Sequence, residues 1–322
     1  MTVVAARAVL TRNRQMAHNR QMSENVLAID IGGTKIAAGL VDPGGALLTS
    51  QQRPTPRGAG AEAVWAVVAD LVAELTAGVG VRGAGVVSAG PVQLQAGTVS
   101  PINVPDWRDF PLRDRVAELL PGRPVRLAGD GVAMALGEHW RGAGQGAGFL
   151  LGMVVSTGIG GGLVLDGQPY PGRTGNAGHV GHVVVDTAGG PCACGGHGCV
   201  ETIAAGPSMV AWAKTQGWSG PAGDARALAA AAADGDPIAR SAFARSGTAL
   251  AAMIASVAAV CDLDLVVVGG GVAKAGELLF EPLHAALARY AGLEFIAELE
   301  VIPAELGGEA GLIGAAALLR TD

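Results

Sequence analysis

Aromatic side chains are scarce. Five Trp, two Tyr and five Phe make up 4% of the 322 residues, so the interior has to be built from Ala, Val, Leu and Ile. A basic excess is also missing. The 28 acidic residues outnumber the 22 Lys and Arg for a net charge of −6, which excludes a global electrostatic field for nucleic acid. Mean hydropathy is positive, at +0.38. Even so, no run of about 18 apolar residues escapes a charge or a glycine break, so no membrane span is expected. The most apolar run, Ala249 to Val260, is shorter and runs into Asp262 and Asp264; it reads as a buried helix. The N-terminus carries arginines without an apolar segment behind them, so no signal peptide is read. Cysteines number four, too few for a disulfide framework. Three of them lie within eight residues, which suits a metal site in a reducing cytoplasm.

Glycine is abundant instead, at 51 residues, against a usual share of about 7%. The glycines are clustered rather than periodic, which argues for tight turns and phosphate loops. Half of the chain is hydrophobic, and the length suggests about two domains. Residues 1–24 are polar and basic, with Arg7, Arg12, Arg14 and Arg20 but no periodicity. They read as a flexible tail, and Met22 offers an alternative start.

From Val26 the chain reads as strand, glycine turn, strand: an apolar run to Ile31, then Gly32-Gly33-Thr34-Lys35, then Ile36 to Val41. The backbone N–H groups of such a turn can form an anion nest, although the Walker A pattern is absent. Ala61 to Ala77 is predicted helical, with Val64, Val67, Val68, Leu71, Val72 and Leu75 on one side. A strand from Gly83 to Val87 runs into the loop Ser88-Ala89-Gly90-Pro91. A proline-punctuated loop carrying Asn103 follows, then a second helix from Pro111 to Leu120. Pro124 to Ala128 is a strand leading to Gly129-Asp130-Gly131, with a helix from Val132 to Trp140 that contains Glu138. Asp130 therefore sits between a strand end and a helix start. It is either a helix cap or a general base at the carboxyl end of a sheet. Phe149 to Ser156 repeats the opening pattern before Thr157-Gly158-Ile159-Gly160-Gly161-Gly162, as two domains of one plan would. Gly269-Gly270-Gly271 forms a third glycine turn after the strand Leu265 to Val268, ahead of a helix over Glu277 to Tyr290. A strand from Phe295 to Ile302 and a helix from Gly311 to Arg320 close the chain.

Between the second and third glycine turns lies the densest chemistry in the sequence. Cys192, Cys194 and Cys199 follow His182 and precede Glu201, with His197 inside the cysteine loop. Three cysteines at this spacing indicate a bound metal. Either histidine could be the fourth ligand, and a site closed by four protein ligands is structural rather than catalytic.

Together these segments resemble the ROK family of sugar kinases and related repressors, within the actin-like ATPase superfamily. The resemblance rests on Asp30-Ile31-Gly32-Gly33-Thr34-Lys35, on Thr157 to Gly162, on Ala177-Gly178-His179-Val180-Gly181-His182, and on Cys192-x-Cys194-x4-Cys199-x-Glu201. It implies an α/β, ribonuclease H-like fold of two domains with a deep cleft. The N-terminal domain would span 25–130, with the helix of 308–322 packed back on it, and the C-terminal domain 131–307. It also implies an ATP-dependent hexose kinase, cytoplasmic and homodimeric, in which Asp130 takes the proton from the sugar 6-hydroxyl. Gly32, Gly33, Thr34, Lys35, Thr157, Gly158 and Gly269 to Gly271 would serve ATP, and Asp30 would hold Mg2+. The implied structural Zn2+ has His182, Cys192, Cys194 and Cys199 as ligands. Ala89, Gly90, Asn103, Gly129, Asp130, His179, His182 and Glu201 would face the sugar.

Two positions depart from the family. Gly129 stands where Asn is usual and His179 where Glu is usual, and in the family both reach toward the sugar 3-hydroxyl. A site that loses an amide and a carboxylate from one corner changes its discrimination. The substrate is therefore expected to be glucose or an amino sugar, including one altered at C3 such as kanosamine. The alternative is an N-acetylmannosamine or N-acetylglucosamine kinase. A sugar-responsive repressor is the reading from another class, but only 29 residues precede Asp30, without a two-helix DNA-binding pattern.

Overall fold

The computed structural model describes residues 24–320. The tail expected over residues 1–24 lies, Glu24 apart, outside the described residues. The described chain forms two compact units: residues 24–133 with 311–320, and Met134–Ala310.

The first unit holds strands β1 (Val26–Ile31), β2 (Lys35–Val41), β3 (Leu47–Pro54), β4 (Gly83–Ser88) and the short pair β5 (Val92–Gln93) and β6 (Thr98–Val99), followed by β7 (Val125–Gly129). Its main sheet runs β3-β2-β1-β4-β7, with β1, β2 and β3 antiparallel and β4 and β7 parallel to β1. β1 and β4 read as almost unbroken apolar runs because both of their faces are covered, as in parallel sheets generally. β3 is the edge. It is polar (LLTSQQRP), half exposed and ends in Pro54, which suits a strand with one row of backbone groups facing water.

Helix α1 (Ala61–Thr76) buries Val64, Val68, Leu71, Val72 and Leu75 as its spacing predicts. Val67, expected on that face, is only partly buried, and Trp65 fills the place instead. Three of the aromatics cluster here: Trp107 is fully buried and stacks on Phe110 at 4.2 Å, with Trp65 tilted against Phe110 at 6.1 Å. Helix α2 (Leu112–Leu119) follows, and α3 (Asp130–Arg141) begins at Asp130 itself, two residues before the expected start.

The second unit repeats the sheet: β8 (Phe149–Val155), β9 (Ile159–Leu165), β10 (Gln168–Tyr170), β11 (Leu265–Gly269) and β12 (Glu300–Pro303), in the order β10-β9-β8-β11-β12. Three antiparallel strands with two parallel ones beyond the first is the plan of the first unit, so the internal repeat read from the two glycine turns is a repeat of whole sheets. Helices α4 (Glu201–Ala204), α5 (Gly206–Thr215), α6 (Ala225–Ala233), α7 (Pro237–Cys261) and α8 (Glu277–Tyr290) accompany it, and α9 (Ala310–Ala317) returns the chain to the first unit.

The 25-residue α7 starts at Asp236, whose carboxylate accepts the Ala239 N–H at 2.8 Å, with Pro237 next, a normal helix opening. Its length and mean hydropathy of 1.5 would let it cross a membrane, and 56% of that apolar window is buried against the rest of the protein. The Ala249–Val260 run falls inside it, although Val260 itself is 84% exposed.

Two expectations near the C-terminus need correction. The strand placed at Phe295 to Ile302 is shorter and later, Glu300–Pro303, preceded by a 3-10 turn at Glu294–Ile296. The N–H groups of Ile296 and Ala297 donate to Leu293 and Glu294, which removes them from any ladder. The last helix stops at Ala317, and the N–H groups of Leu318, Leu319 and Arg320 donate three residues back in a tightening turn.

Candidate functional site

In the first unit, sheet register assembles the acidic pair. Ile31 on β1 pairs with Ser88 on β4, and Ser88 with Gly129 on β7. Asp30 stands one residue before that row and Asp130 one residue after it, at the carboxyl ends of two parallel strands that flank β4, where open α/β sheets place ligands. Asp130 is exposed, and one carboxylate oxygen accepts the Gly131 N–H at 2.8 Å, which fixes its rotation. It is therefore the first residue of α3 rather than a cap reaching two or three residues into the helix.

The glycine turn lies beside this pair. Gly32 N–H donates to the Lys35 carbonyl, and Thr55 Oγ donates to the Gly32 carbonyl at 2.6 Å. A Cβ at Gly33 would come within 2.6 Å of the Asn103 Cβ, so only glycine lets the turn meet the Asn103 loop. That loop is tied in turn to the other predicted sugar segment, since Ile102 N–H donates to the Gly90 carbonyl; Ala89 N–H donates to Ile31. Lys35 engages Gln52 on β3 at 3.4 Å, outside the turn. Arg57, which sequence reading passed over, donates to the Gly33 carbonyl at 3.2 Å. Its signal was faint: one loop cation after Thr55-Pro56.

Burial, the Asp130 charge and the opposing but smaller pull of Lys35 leave the Asp30 carboxyl with its pKa raised from 3.8 to about 6. The carboxylate also lies against the start of α9, where a Cβ on Gly311 would come within 2.5 Å of its oxygen. Two carboxylates this close, one of them strained by burial, are a donor set that favours a cation. A carboxyl that binds its proton more tightly folded than unfolded costs stability when ionised, beginning near pH 3.8 and fully above about 6. Asp30→Asn is therefore expected to stabilise the ligand-free protein at pH 8 by at most ~3 kcal/mol. The gain should shrink toward pH 4.5, and Mg2+ should narrow it at pH 8. Melting curves of both proteins under these conditions test this; equal curves at pH 8 would refute it.

In the second unit, Thr157 and Gly158 form the turn between β8 and β9. Three hydrogen bonds mount it: Ser156 N–H to the Gly158 carbonyl, Gly206 N–H to the Ser156 carbonyl, and Ile159 N–H to a Glu201 carboxylate oxygen at 2.7 Å. A Cβ at Gly158 would lie 2.8 Å from that same oxygen, so Gly158 is the residue that admits Glu201. Glu201, predicted to face the sugar, thus also secures the turn between β8 and β9. His179 is exposed, and its Nδ1 lies 3.0 Å from the Asn176 carbonyl. A carbonyl only accepts, so Nδ1 carries a proton, and in that tautomer Nε2 is the acceptor.

Gly269, Gly270 and Gly271 line a cavity of about 310 Å³ together with Glu138, Lys274, Ala304, Gly307 and Gly308. The last five were not singled out from sequence, although a lone Glu in the buried helix α3 was a signal for Glu138. A larger hollow of about 450 Å³, beside Asp186, Arg245 and Tyr290, contains none of the predicted residues.

The ligand atoms of His182, Cys192, Cys194 and Cys199 all lie within 4.8 Å of one another. Cys194 and Cys199 sulfurs are 3.7 Å apart, and Cys192 Sγ is 3.8 Å from His182 Nδ1. A tetrahedron with metal–sulfur bonds of about 2.3 Å has edges of about 3.8 Å, so the group fits a single metal ion. His197 is exposed and lies outside the group, so of the two histidines it is His182 that stands beside the cysteines. Burial, with Cys192 and Cys194 adding to it, pushes the Cys199 thiol up to about 12, while the Gly196 N–H lowers that of Cys194. Three clustered thiols resist ionising together, and a dication is the charge that reverses this. Backbone pairing of Val185 with Gly198, and of Val200 with Val183, closes the loop around them.

Residues 26–322 match the ROK family. A glucokinase of Thermotoga maritima is 34% identical over 310 residues, covering 92% of this chain and 97% of the relative. An N-acetylmannosamine kinase of Yersinia pseudotuberculosis is 36% identical over 299 residues, covering 92% and 98%. A solved ROK family glucokinase of Streptomyces griseus, in complex with glucose and AMPPNP, aligns with a TM-score of 0.78 at 35% identity, covering 92% of this chain and all of that one. The two repeated units are those of the actin-like ATPase fold. The chain belongs to the ROK family.

Proposed function

We propose that this protein is an ATP-dependent kinase of a hexose 6-hydroxyl, with Asp130 as the general base. The observation that carries the reading is the register Ile31–Ser88–Gly129, which brings Asp30 and Asp130 to the same end of two parallel strands flanking β4, where the Asp130 charge acts on Asp30. Phosphoryl transfer needs a positioned hydroxyl, a group to take its proton and compensation of phosphate charge. Asp130, held by the Gly131 N–H, takes the proton. The turns at Gly33-Thr34 and at Thr157-Gly158 each carry backbone N–H groups of the kind that suit phosphate oxygens. Asp30 would hold Mg2+, which supplies positive charge to the phosphates when bound. His182, Cys192, Cys194 and Cys199 would hold one Zn2+, and its role is to brace the segment that ends in Glu201.

The substrate is a hexose whose C3 corner differs from that of ordinary glucose. A Cβ added at Gly129 meets nothing within 4 Å, so the room an Asn would take is open. His179 Nε2 is an acceptor, suited to a donor on C3 such as the amino group of kanosamine. Glucose, N-acetylmannosamine and N-acetylglucosamine remain the competing substrates, because relatives named for two of them are equally similar. A coupled ADP-release assay over glucose, mannose, both N-acetylhexosamines and kanosamine separates them. The C3-modified sugar is expected to show the highest kcat/KM. The double substitution Gly129→Asn, His179→Glu is expected to move preference toward unmodified glucose by about tenfold or more. Highest efficiency on glucose with the unaltered protein would sink the C3 reading.

A further inference from the structure

Among the described residues, Glu138 is the only charged side chain in the fully buried set. It lies on α3 and takes no part in the chemistry assigned above. A carboxylate removed from water needs strong hydrogen bonds, and Glu138 has three, all from backbone. One oxygen accepts from Leu306 N–H at 2.9 Å; the other accepts from Ala143 N–H at 2.9 Å and Glu305 N–H at 3.1 Å. Two of the three donors thus come from the segment after β12, more than 160 residues away in sequence.

That segment is a wall of the 310 Å³ cavity. Gly307 and Gly308 line it opposite Gly269, Gly270, Gly271 and Lys274, and Glu138 itself borders it. Ala304 N–H donates to Val268, so sheet pairing ends there and nothing in the ladder fixes the next residues. Glu138 takes over at that point. We propose that Glu138 is a positioning residue for the nucleotide: it clamps Glu305 and Leu306 and thereby sets the wall against which the base and ribose of ATP rest. This depends on the reading that the cavity receives the nucleotide.

The clamp needs a carboxylate. A Gln offers one acceptor oxygen and an NH2 group, which must face either the Leu306 N–H or the Ala143 and Glu305 pair, setting donor against donor. Glu138→Gln is expected to raise the KM for ATP and the Kd for a fluorescent ADP analogue by about tenfold or more. The hexose KM, and kcat at saturating ATP, should stay within about threefold. Should Glu138→Gln fail to fold, Leu306→Pro tests the same bond from the loop side. It removes the N–H at a φ of −75°, which proline adopts, and the same selective rise is expected. A lowered melting temperature with both KM values unchanged, in either variant, overturns the clamp. Gly271→Leu separates the two ideas, because its added Cβ meets only Ser156 Oγ at 3.4 Å and the rest of the side chain fills space. An unchanged ATP KM in Gly271→Leu removes the nucleotide from this cavity and the proposal with it. A raised ATP KM there, with none in Glu138→Gln, overturns the clamp and leaves the nucleotide site standing.

Discussion

Asp130→Asn is expected to lower kcat by about 10²- to 10⁴-fold while leaving the KM for hexose and for ATP within about threefold. The reasoning is that Asn keeps the shape and the local contact but not the basicity. Its carbonyl oxygen can still accept the Gly131 N–H, so α3 should begin where it does now. Asp130 is exposed and its side chain fills no core position, so the melting temperature should move little. On the proposed mechanism, what disappears is the group that takes the hydroxyl proton in the transition state, an effect read in kcat. A second readout follows from the neighbouring charge. Asp130 helps hold the Asp30 carboxyl near 6, and removing it should let Asp30 ionise at lower pH. Wild-type activity in Asp130→Asn would show that another group is the base.

Much of this arrangement is legible in the sequence, and the limits have physical causes. The glycine turns are visible because a backbone that must approach another group closely admits no side chain: Gly33 against Asn103 and Gly158 against Glu201 are two such places. The central strands are visible because they are apolar on both faces. The cysteine group is visible because metal ligands must be near in sequence when a short loop carries them. Register is not visible, because it depends on partners 57 and 41 residues apart, and so the neighbourhood of Asp30 and Asp130 appears only when β1, β4 and β7 are paired. Arg57 and Glu138 were passed over for opposite reasons. Arg57 acts through one hydrogen bond from an ordinary loop, and Glu138 acts on residues distant in the chain. Trp65 was missed because helical spacing ranks positions by angle alone, whereas the Trp107–Phe110 stack decides which side chain fits.

Loss of the metal should have the widest structural effect. Purified protein is expected to carry about one zinc per chain, and Cys199→Ser to carry none. Residues 183–200 have little core of their own: Val200 and Cys199 are fully buried, but Asp186 to Ala188 and Ala193 to His197 are exposed. Without four ligands converging on one ion, this loop has only a few backbone hydrogen bonds to hold it, and structural zinc commonly supplies ~10 kcal/mol or more of folding free energy in small sites. The consequence does not stop at the loop. Cys199 is two residues from Glu201, whose carboxylate holds the Ile159 N–H, and Gly206 of the same stretch holds Ser156. Amide exchange should therefore rise over 183–200 and also over 156–159, while β8 and β11, buried at the centre of their sheet, keep their protection. Activity should fall with the second of these changes. His197→Ala is the control, since its ring lies outside the ligand group, and it should keep both the metal and the exchange pattern. A folded, active protein without zinc would remove the brace, and faster exchange confined to 183–200 would cut the link from the metal to the turn at 156–159.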